Sequence, residues 1–219
     1  MTIRDNLAAV EQRIRAACAR AGRARDQVTL VAVSKTFPAS FVDEAITAGA
    51  THIGENRVQE ARDKKPRVHG AARWHLIGHL QSNKAKDAVR LFDMIETVDS
   101  AELAGKLARA AEAAGKVQEV LLEVNLGNEP QKSGVTPADL ETLAREVRAF
   151  APLRLLGLMA IPPHGTPQET REHFRRLRTL RDKLGLQHLS MGMTEDFEAA
   201  IEEGSTIVRI GRAIFGERG

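Results

Sequence analysis

VTLVAVS (residues 28–34) is an almost continuous apolar run, followed by a helical pattern and by a second short run, THIG (51–54). Apolar runs of this kind are typical of strands buried on both faces of a parallel sheet. The same succession of a short run and a helical pattern repeats along the chain. It predicts six further strands: WHLIG (74–78), MIETV (94–98), EVLLEVN (119–125), RLLGLMAI (154–161), HLSMG (188–192) and TIVRIG (206–211).

Helix signals fill the segments between these strands. The stretch 166–169 (TPQE) combines a cap residue, a proline at the first helical position and a capping-box glutamate. Ahead of the first strand, apolar residues at 3, 7, 10, 14 and 17 form one stripe of a further helix. The chain is therefore predicted to be α/β, a single (β/α)8 TIM-type barrel domain over 1–219 with an extra N-terminal helix. The alternative is an open doubly wound sheet.

Composition excludes several classes of protein. Of the 219 residues, 42% are hydrophobic and 28% charged, which is ordinary for a globular protein. No apolar run is long enough to span a bilayer or to serve as a signal peptide, so we expect a cytoplasmic protein without a membrane partner. A single cysteine, Cys18, agrees with a reducing compartment. The net charge of +3 is dispersed and aromatic residues make up only 4%, so no nucleic-acid partner is expected.

Functional residues of such barrels lie at the carboxyl ends of the strands. Lys35 follows the first strand directly. A lysine amine beside apolar walls loses part of its preference for the charged form and becomes a better nucleophile toward aldehydes. The side chain could equally extend from the strand end into solvent. The residue pattern alone leaves both interpretations open.

The last two strand ends suggest a phosphate site. Gly192 and Gly211 each precede a short helical segment, and Arg212 follows the second glycine. Barrels often bind phosphate at these two loops through backbone amides, which glycine allows a ligand to approach closely. Ordinary turn and cap chemistry is the alternative.

Two polar residues at strand ends each admit two interpretations. Arg209 lies within the apolar strand TIVRIG, so its charge needs a partner: either a structural salt bridge or a ligand in the barrel mouth. Asn56 either caps the next helix or binds a ligand hydroxyl.

The sequence gives little support for a metal site or for hydrolase chemistry. His75 and His79 are four residues apart on one strand and face the same side, but no compact Cys/His cluster supplies a third zinc ligand. No metal is therefore expected. Packing is the preferred role of His75, and packing or support of a ligand-binding residue is the preferred role of His79. The sequence also lacks a serine-hydrolase elbow, a phosphate-binding P-loop and a dinucleotide fingerprint after its first strand.

Several longer stretches together resemble one known family, the pyridoxal phosphate homeostasis proteins. The resemblance runs almost end to end and keeps the family's order. The stretches that carry it are LVAVSKTFP (30–38), HIGENRVQEARDK (52–64), WHLIGHLQSNKAK (74–86), VNLGNEPQKSGV (124–135), GLMAIPP (157–163), LSMGMTEDFEAAIEEGST (189–206) and VRIGRAIFGER (208–218).

The resemblance implies a lone barrel similar to the N-terminal domain of alanine racemase, with pyridoxal 5′-phosphate as cofactor. It implies an imine between the cofactor and Lys35, and it places Arg209 at the pyridine nitrogen. It also implies that Asn56 lies near the ring and that Ser190, Gly192, Gly211 and Arg212 bind the phosphate. His79 is added as a cofactor-binding residue because of its strand-end position.

Three functions remain compatible with this resemblance. The first is a carrier that keeps the reactive cofactor low and delivers it to apo-enzymes without efficient turnover. The second is a weak racemase-like enzyme that acts on a small amino acid. This second function is disfavoured because the chain has no tyrosine to supply the acid/base group that a second domain contributes in alanine racemase. The third is a regulatory protein whose cofactor state is the signal. A lone barrel is expected to be a monomer.

Overall fold

The computed structural model describes residues 2–129 and 131–217, and it confirms the predicted barrel. Eight parallel strands close in chain order, because β8 pairs with β1. The strands are β1 (Thr29–Val33), β2 (His52–Glu55), β3 (Arg73–Leu76), β4 (Met94–Val98), β5 (Gln118–Glu123), β6 (Leu153–Met159), β7 (His188–Ser190) and β8 (Ile207–Ile210).

Helices connect these strands and surround the barrel. Single-turn 3₁₀ helices at Arg25–Gln27, Lys65–Arg67 and Ser82–Lys84 supplement them. The α-helices are α1 (Ile3–Arg20), α2 (Ala39–Thr47), α3 (Val58–Lys64), α4 (Ala85–Leu91), α5 (Ala101–Ala113), α6 (Leu140–Arg148), α7 (Pro167–Lys183), α8 (Phe197–Glu202) and α9 (Arg212–Phe215).

The apolar core has two parts. The larger part lies between the strands and the surrounding helices. The smaller part is a cluster of side chains inside the barrel: Val31, Met94, Leu121, Met159 and Ile207. Further polar side chains on these strands, described below, are also buried, so the interior is only partly apolar.

The predicted N-terminal helix, α1, packs beside the last two helices of the barrel, α8 and α9. The apolar stripe of α1 is buried, and the helix packs against α8, α9 and α2. Asn6 Nδ2 donates to the carbonyl of Ile214 at 2.9 Å, and the guanidinium of Arg13 lies 4.5 Å from the ring centroid of Phe197. Since α9 is only four residues long, α1 occupies the position where a full eighth connecting helix would otherwise pack.

Within the described part of the chain, no helix has both the length and the apolar character that crossing a membrane requires.

Candidate functional site

A cavity of about 930 Å³ opens at the carboxyl ends of the strands. Its wall is built from residues that follow β1, β2, β3, β6, β7 and β8, so it lies where the barrel rule places a functional site. Five of the eight residues singled out by the sequence lie on this wall: Lys35, Asn56, Arg209, Gly211 and Arg212.

Lys35 is half-buried directly after β1, and the residues on either side of it are held by acidic side chains. Thr36 adopts a left-handed conformation with φ of 70°, and its backbone N–H donates to the carboxylate of Glu60. A residue other than glycine in this region needs such support. On the other side, Ser34 Oγ donates to Glu55 Oε1 at 2.6 Å. Both contacts limit how the chain can move around Lys35.

A second, buried lysine supports this strand end. Lys64 Nζ lies 2.7 Å from the carbonyl oxygen of Ser34, 2.5 Å from Glu55 Oε1 and 3.1 Å from Glu60 Oε1. Lys64 and Glu55 are both almost inaccessible. Burial raises the pKa of the Glu55 carboxyl, while the hydrogen bonds from Lys64 and Ser34 oppose the rise. Sequence analysis did not assign this cluster, although Glu60 and Lys64 have the i,i+4 spacing of a helical ion pair.

Asn56 serves the cavity and does not cap the helix that follows. The N-cap residue of α3 is Arg57, and no side chain caps that helix. Asn56 Oδ1 is buried and has no hydrogen-bond partner among the described residues, while the residue lies on the cavity wall. Buried polar atoms are seldom left unbonded, so this oxygen favours the ligand-binding interpretation.

Arg209 forms part of the cavity floor, and Ser190 lies behind it. Arg209 Nη1 donates to Ser190 Oγ at 2.7 Å, and Nη2 donates to the carbonyl of Ala160 at 3.2 Å. Ser190 Oγ in turn donates to Glu96 Oε2. Ser190 is fully buried and is not among the residues of the cavity wall, so its hydroxyl supports Arg209 instead of facing the cavity.

The two predicted glycine loops have different structures. Gly192 has φ of +93°, and a Cβ there would lie 2.5 Å from the Cβ of Ala200, so only glycine fits without rearrangement. Gly192 is not on the cavity wall, whereas Gly211 is. Gly211 precedes α9, whose first backbone N–H groups lack partners inside the helix, as is suitable for an anion. Arg212 bonds the carboxylate of Glu195 from the preceding loop.

Both histidines considered above lie away from the cavity wall. His79 is exposed, with Nδ1 3.0 Å from Ser133 Oγ and 3.8 Å from Asp99 Oδ2. His75 is buried inside the barrel, where its ring bonds Glu96 and His52. No group of three or more metal-ligating side chains occurs in the described part of the chain.

Glu123 is a titratable group at the barrel mouth that sequence analysis missed. It is half-buried at the end of β5, and its Oε2 has no hydrogen-bond partner among the described residues. Burial and, next, the charge of Asp99 raise the pKa of Glu123 to about 7, while Arg209 opposes the rise. The inward-facing positions of a barrel strand alternate with outward-facing ones, and this alternation was the available signal.

Glu123 is expected to make stability depend on pH. The folded protein keeps this proton up to about pH 7, whereas an ordinary glutamate releases it near 4.5. Ionisation therefore lowers stability progressively between these pH values, and the cost is complete above about pH 7. We expect Glu123→Gln to raise the free energy of unfolding by about 2 kcal/mol at pH 8 and to change it little at pH 5.

Urea unfolding at the two pH values measures this effect. Glu112→Gln, at an exposed position of α5, serves as the control and should leave the pH dependence unchanged. Equal effects of Glu123→Gln at pH 5 and pH 8 would show that Glu123 titrates normally.

Comparisons with known proteins agree with this geometry. A family model described as "Alanine racemase, N-terminal domain" matches residues 6–219. The pyridoxal phosphate homeostasis protein of Aquifex aeolicus is 43% identical over 98% of this chain and 97% of its own. That of Pseudomonas aeruginosa is 46% identical over 99% of this chain and 96% of its own. The chain belongs to the pyridoxal phosphate homeostasis protein family.

Solved structures of the family and its wider fold group are also similar. PipY of Synechococcus elongatus, solved with PLP bound, is 38% identical, with a TM-score of 0.88 over 98% of this chain and 100% of PipY. An alanine racemase of Clostridium difficile is 14% identical, with a TM-score of 0.72 over 99% of this chain and 57% of the racemase. The second likeness concerns the fold alone.

Proposed function

We propose that this chain binds pyridoxal 5′-phosphate covalently through Lys35 and serves the homeostasis of that cofactor in the cell. The observation that carries the proposal is that Lys35, Asn56 and Arg209 all lie on the wall of one cavity at the carboxyl end of the barrel. The PLP-bound PipY structure and the names of the relatives support the choice of cofactor.

The residues on the wall fit the chemical parts of this cofactor. The amine of Lys35 suits its aldehyde, and the guanidinium of Arg209 is a donor for the ring nitrogen. Asn56, with its unpartnered buried Oδ1, can bond a polar group beside the ring. Gly211 and Arg212 bring backbone amides and a positive charge to the wall, as a phosphate requires. Ser190 supports Arg209 from behind the wall, Gly192 also lies behind the wall, and His79 lies outside this set.

Carriage is favoured over turnover by two features. When bound, the cofactor supplies an electron sink that works best with a protonated ring nitrogen. An arginine remains protonated and donates, so Arg209 keeps that nitrogen unprotonated and weakens the sink. The chain also contains no tyrosine for a second acid/base group. We therefore propose a cytoplasmic, monomeric carrier that binds the aldehyde reversibly, holds its free concentration low and passes it to apo-enzymes.

The second candidate function is a weak racemase-like activity on a small amino acid. The observation in its favour is Glu123, whose pKa of about 7 suits proton transfer and whose charge interacts with Arg209. A screen of amino acids with the loaded protein distinguishes the two functions. A carrier is expected to give no turnover above the rate of free cofactor, whereas an enzyme converts at least one substrate catalytically.

Reduction with borohydride followed by peptide mass mapping tests the proposal. The purified protein, incubated with pyridoxal 5′-phosphate and reduced, is expected to carry one pyridoxyl group on the peptide that contains Lys35. Absence of any adduct at excess cofactor overturns the proposed function. Delivery is tested by mixing the loaded protein with a purified apo-enzyme and measuring the activity that the apo-enzyme recovers. A protein partner that binds only the cofactor-free or only the cofactor-loaded form of this protein would indicate regulation instead.

A further inference from the structure

A continuous chain of hydrogen bonds runs through the inside of the barrel to the cavity floor. Arg209 donates to Ser190, and Ser190 donates to Glu96 Oε2. Glu96 Oε1 lies 2.6 Å from His75 Nδ1, and His75 Nε2 lies 2.8 Å from His52 Nδ1. The first four members are almost fully buried, whereas His52, at the amino end of β2, is half-buried.

The donors and acceptors at the centre of this chain match when Glu96 is ionised. Glu96 then accepts from the Ser190 hydroxyl and from Nδ1–H of His75, and Nε2 of His75 shares a hydrogen bond with Nδ1 of His52. Burial lowers the pKa of His52 to about 4, so its ring is neutral at pH 7. The carboxylate of Glu96 and the guanidinium of Arg209 are thus linked through a single side chain, the hydroxyl of Ser190.

Three carboxylates influence Arg209: Glu96, Glu123 of β5 and Asp196 after β7. Burial raises the pKa of both Glu123 and Asp196, which weakens them as counter-ions. Burial also opposes ionisation of Glu96, but His75, Arg209 and Ser190 outweigh it and hold its pKa below the usual value. Only Glu96 of the three is joined to Arg209 through a shared hydrogen-bond partner, Ser190.

We propose that Glu96 is the positioning residue and counter-ion of Arg209, acting through Ser190 to fix the guanidinium at the cavity floor and to balance its charge beneath the cofactor. The inference rests on the proposed function for what occupies the cavity. It adds a role for a residue that does not touch the cofactor, and it assigns the Ser190 hydroxyl to this support. Burying an isolated guanidinium in the barrel would cost free energy. An ionised carboxylate, separated from it only by the Ser190 side chain, offsets that cost.

The charge balance gives a test with effects of opposite sign. The variants Glu96→Gln, Arg209→Gln and the double variant are loaded with pyridoxal 5′-phosphate, and the absorbance of the Lys35-linked cofactor is titrated with pH. Glu96→Gln removes a negative charge and should lower the protonation midpoint of the Lys35 linkage by about 1 pH unit. Arg209→Gln should raise the midpoint, and the double variant should return it close to that of the unmodified protein.

His52→Gln is the matched control, because it alters the far end of the same chain without changing a charge at the floor; it should leave the midpoint unchanged. If Glu96→Gln loads normally but keeps the original midpoint, the inference is overturned.

A second measurement needs no cofactor and covers the case in which a variant loads poorly. Urea unfolding of the same three variants forms a double-mutant cycle. If Glu96 serves Arg209, the double variant loses less in its unfolding midpoint than the two single losses added together. Additive losses overturn the inference. Failure of the unmodified protein to form any adduct overturns the proposed function instead, and the cycle still decides the role of Glu96.

Discussion

Lys35→Ala is expected to abolish the borohydride-stable adduct and the absorbance band of the bound cofactor. The aldehyde can then be held only by the remaining contacts around Asn56, Arg209 and Gly211. We expect the loss of the covalent link to weaken the affinity roughly 100-fold, which corresponds to about 2.8 kcal/mol of binding free energy. Equilibrium dialysis measures the affinity, and peptide mapping after reduction measures the adduct.

Lys132→Ala provides the matched control for this experiment. Lys132 lies on the same cavity wall, and its Nζ bonds Glu129 Oε1 at 2.7 Å. Its loss should leave the adduct on Lys35 in full yield. If Lys35→Ala retains a full adduct that maps to Lys132 or another lysine, the assignment of Lys35 as the covalent residue is wrong.

Lys64→Met is expected to lower the free energy of unfolding by about 3–5 kcal/mol, because it leaves the buried Glu55 without its charged partner. Lys64 Nζ lies 2.5 Å from Glu55 Oε1, and both side chains are almost inaccessible to solvent. The same change removes the hydrogen bond to the Ser34 carbonyl, so the rate of adduct formation at Lys35 should fall as well. Urea unfolding and timed borohydride trapping measure the two effects.

Two further variants separate charge from packing in this cluster. Lys106→Met removes a lysine that pairs with an exposed glutamate, Glu102, and should cost no more than about 1 kcal/mol. Glu55→Gln combined with Lys64→Met removes both charges and should recover part of the lost stability. A double variant as unstable as the sum of its parts would argue that the pair is not coupled.

Much of the fold was predictable because its signals are local. Nearly continuous apolar runs such as VTLVAVS require burial on both faces, and capping boxes such as that of Thr166 and Glu169 mark helix starts. Lys35 and Arg209 stood out for the related reason that each is a charge at or within an apolar strand. The structure puts both on one cavity wall, as the barrel rule requires.

The rest of the site depends on directions that local sequence does not fix. Ser190, the last residue of β7, faces the barrel interior, whereas His79, which lies past the end of β3, faces solvent. Strand tilt and loop geometry decide such differences in side-chain direction. The partnership of Glu96 with Arg209 joins residues more than a hundred positions apart, through a third strand. The sequence spacing allowed Asn56 to be the N-cap of the next helix. In the structure α3 begins one residue later, and its N-cap residue is Arg57, whose side chain makes no capping hydrogen bond.

The helix α1 cannot complete its packing until residues much later in the chain have been synthesised. Its contacts with Glu202, Glu198 and Ile214 span 182 to 208 residues of chain. At ribosomal speeds of about 5–20 residues per second, α1 leaves the ribosome roughly 10–40 s before these partners exist. During that interval its apolar stripe of Ile3, Leu7, Val10 and Ile14 lacks α8 and α9, two of the three helices against which α1 packs. The barrel therefore closes late, because β1 can pair with β8 only after β8 has been synthesised, and α1 completes its packing only once α8 and α9 are present.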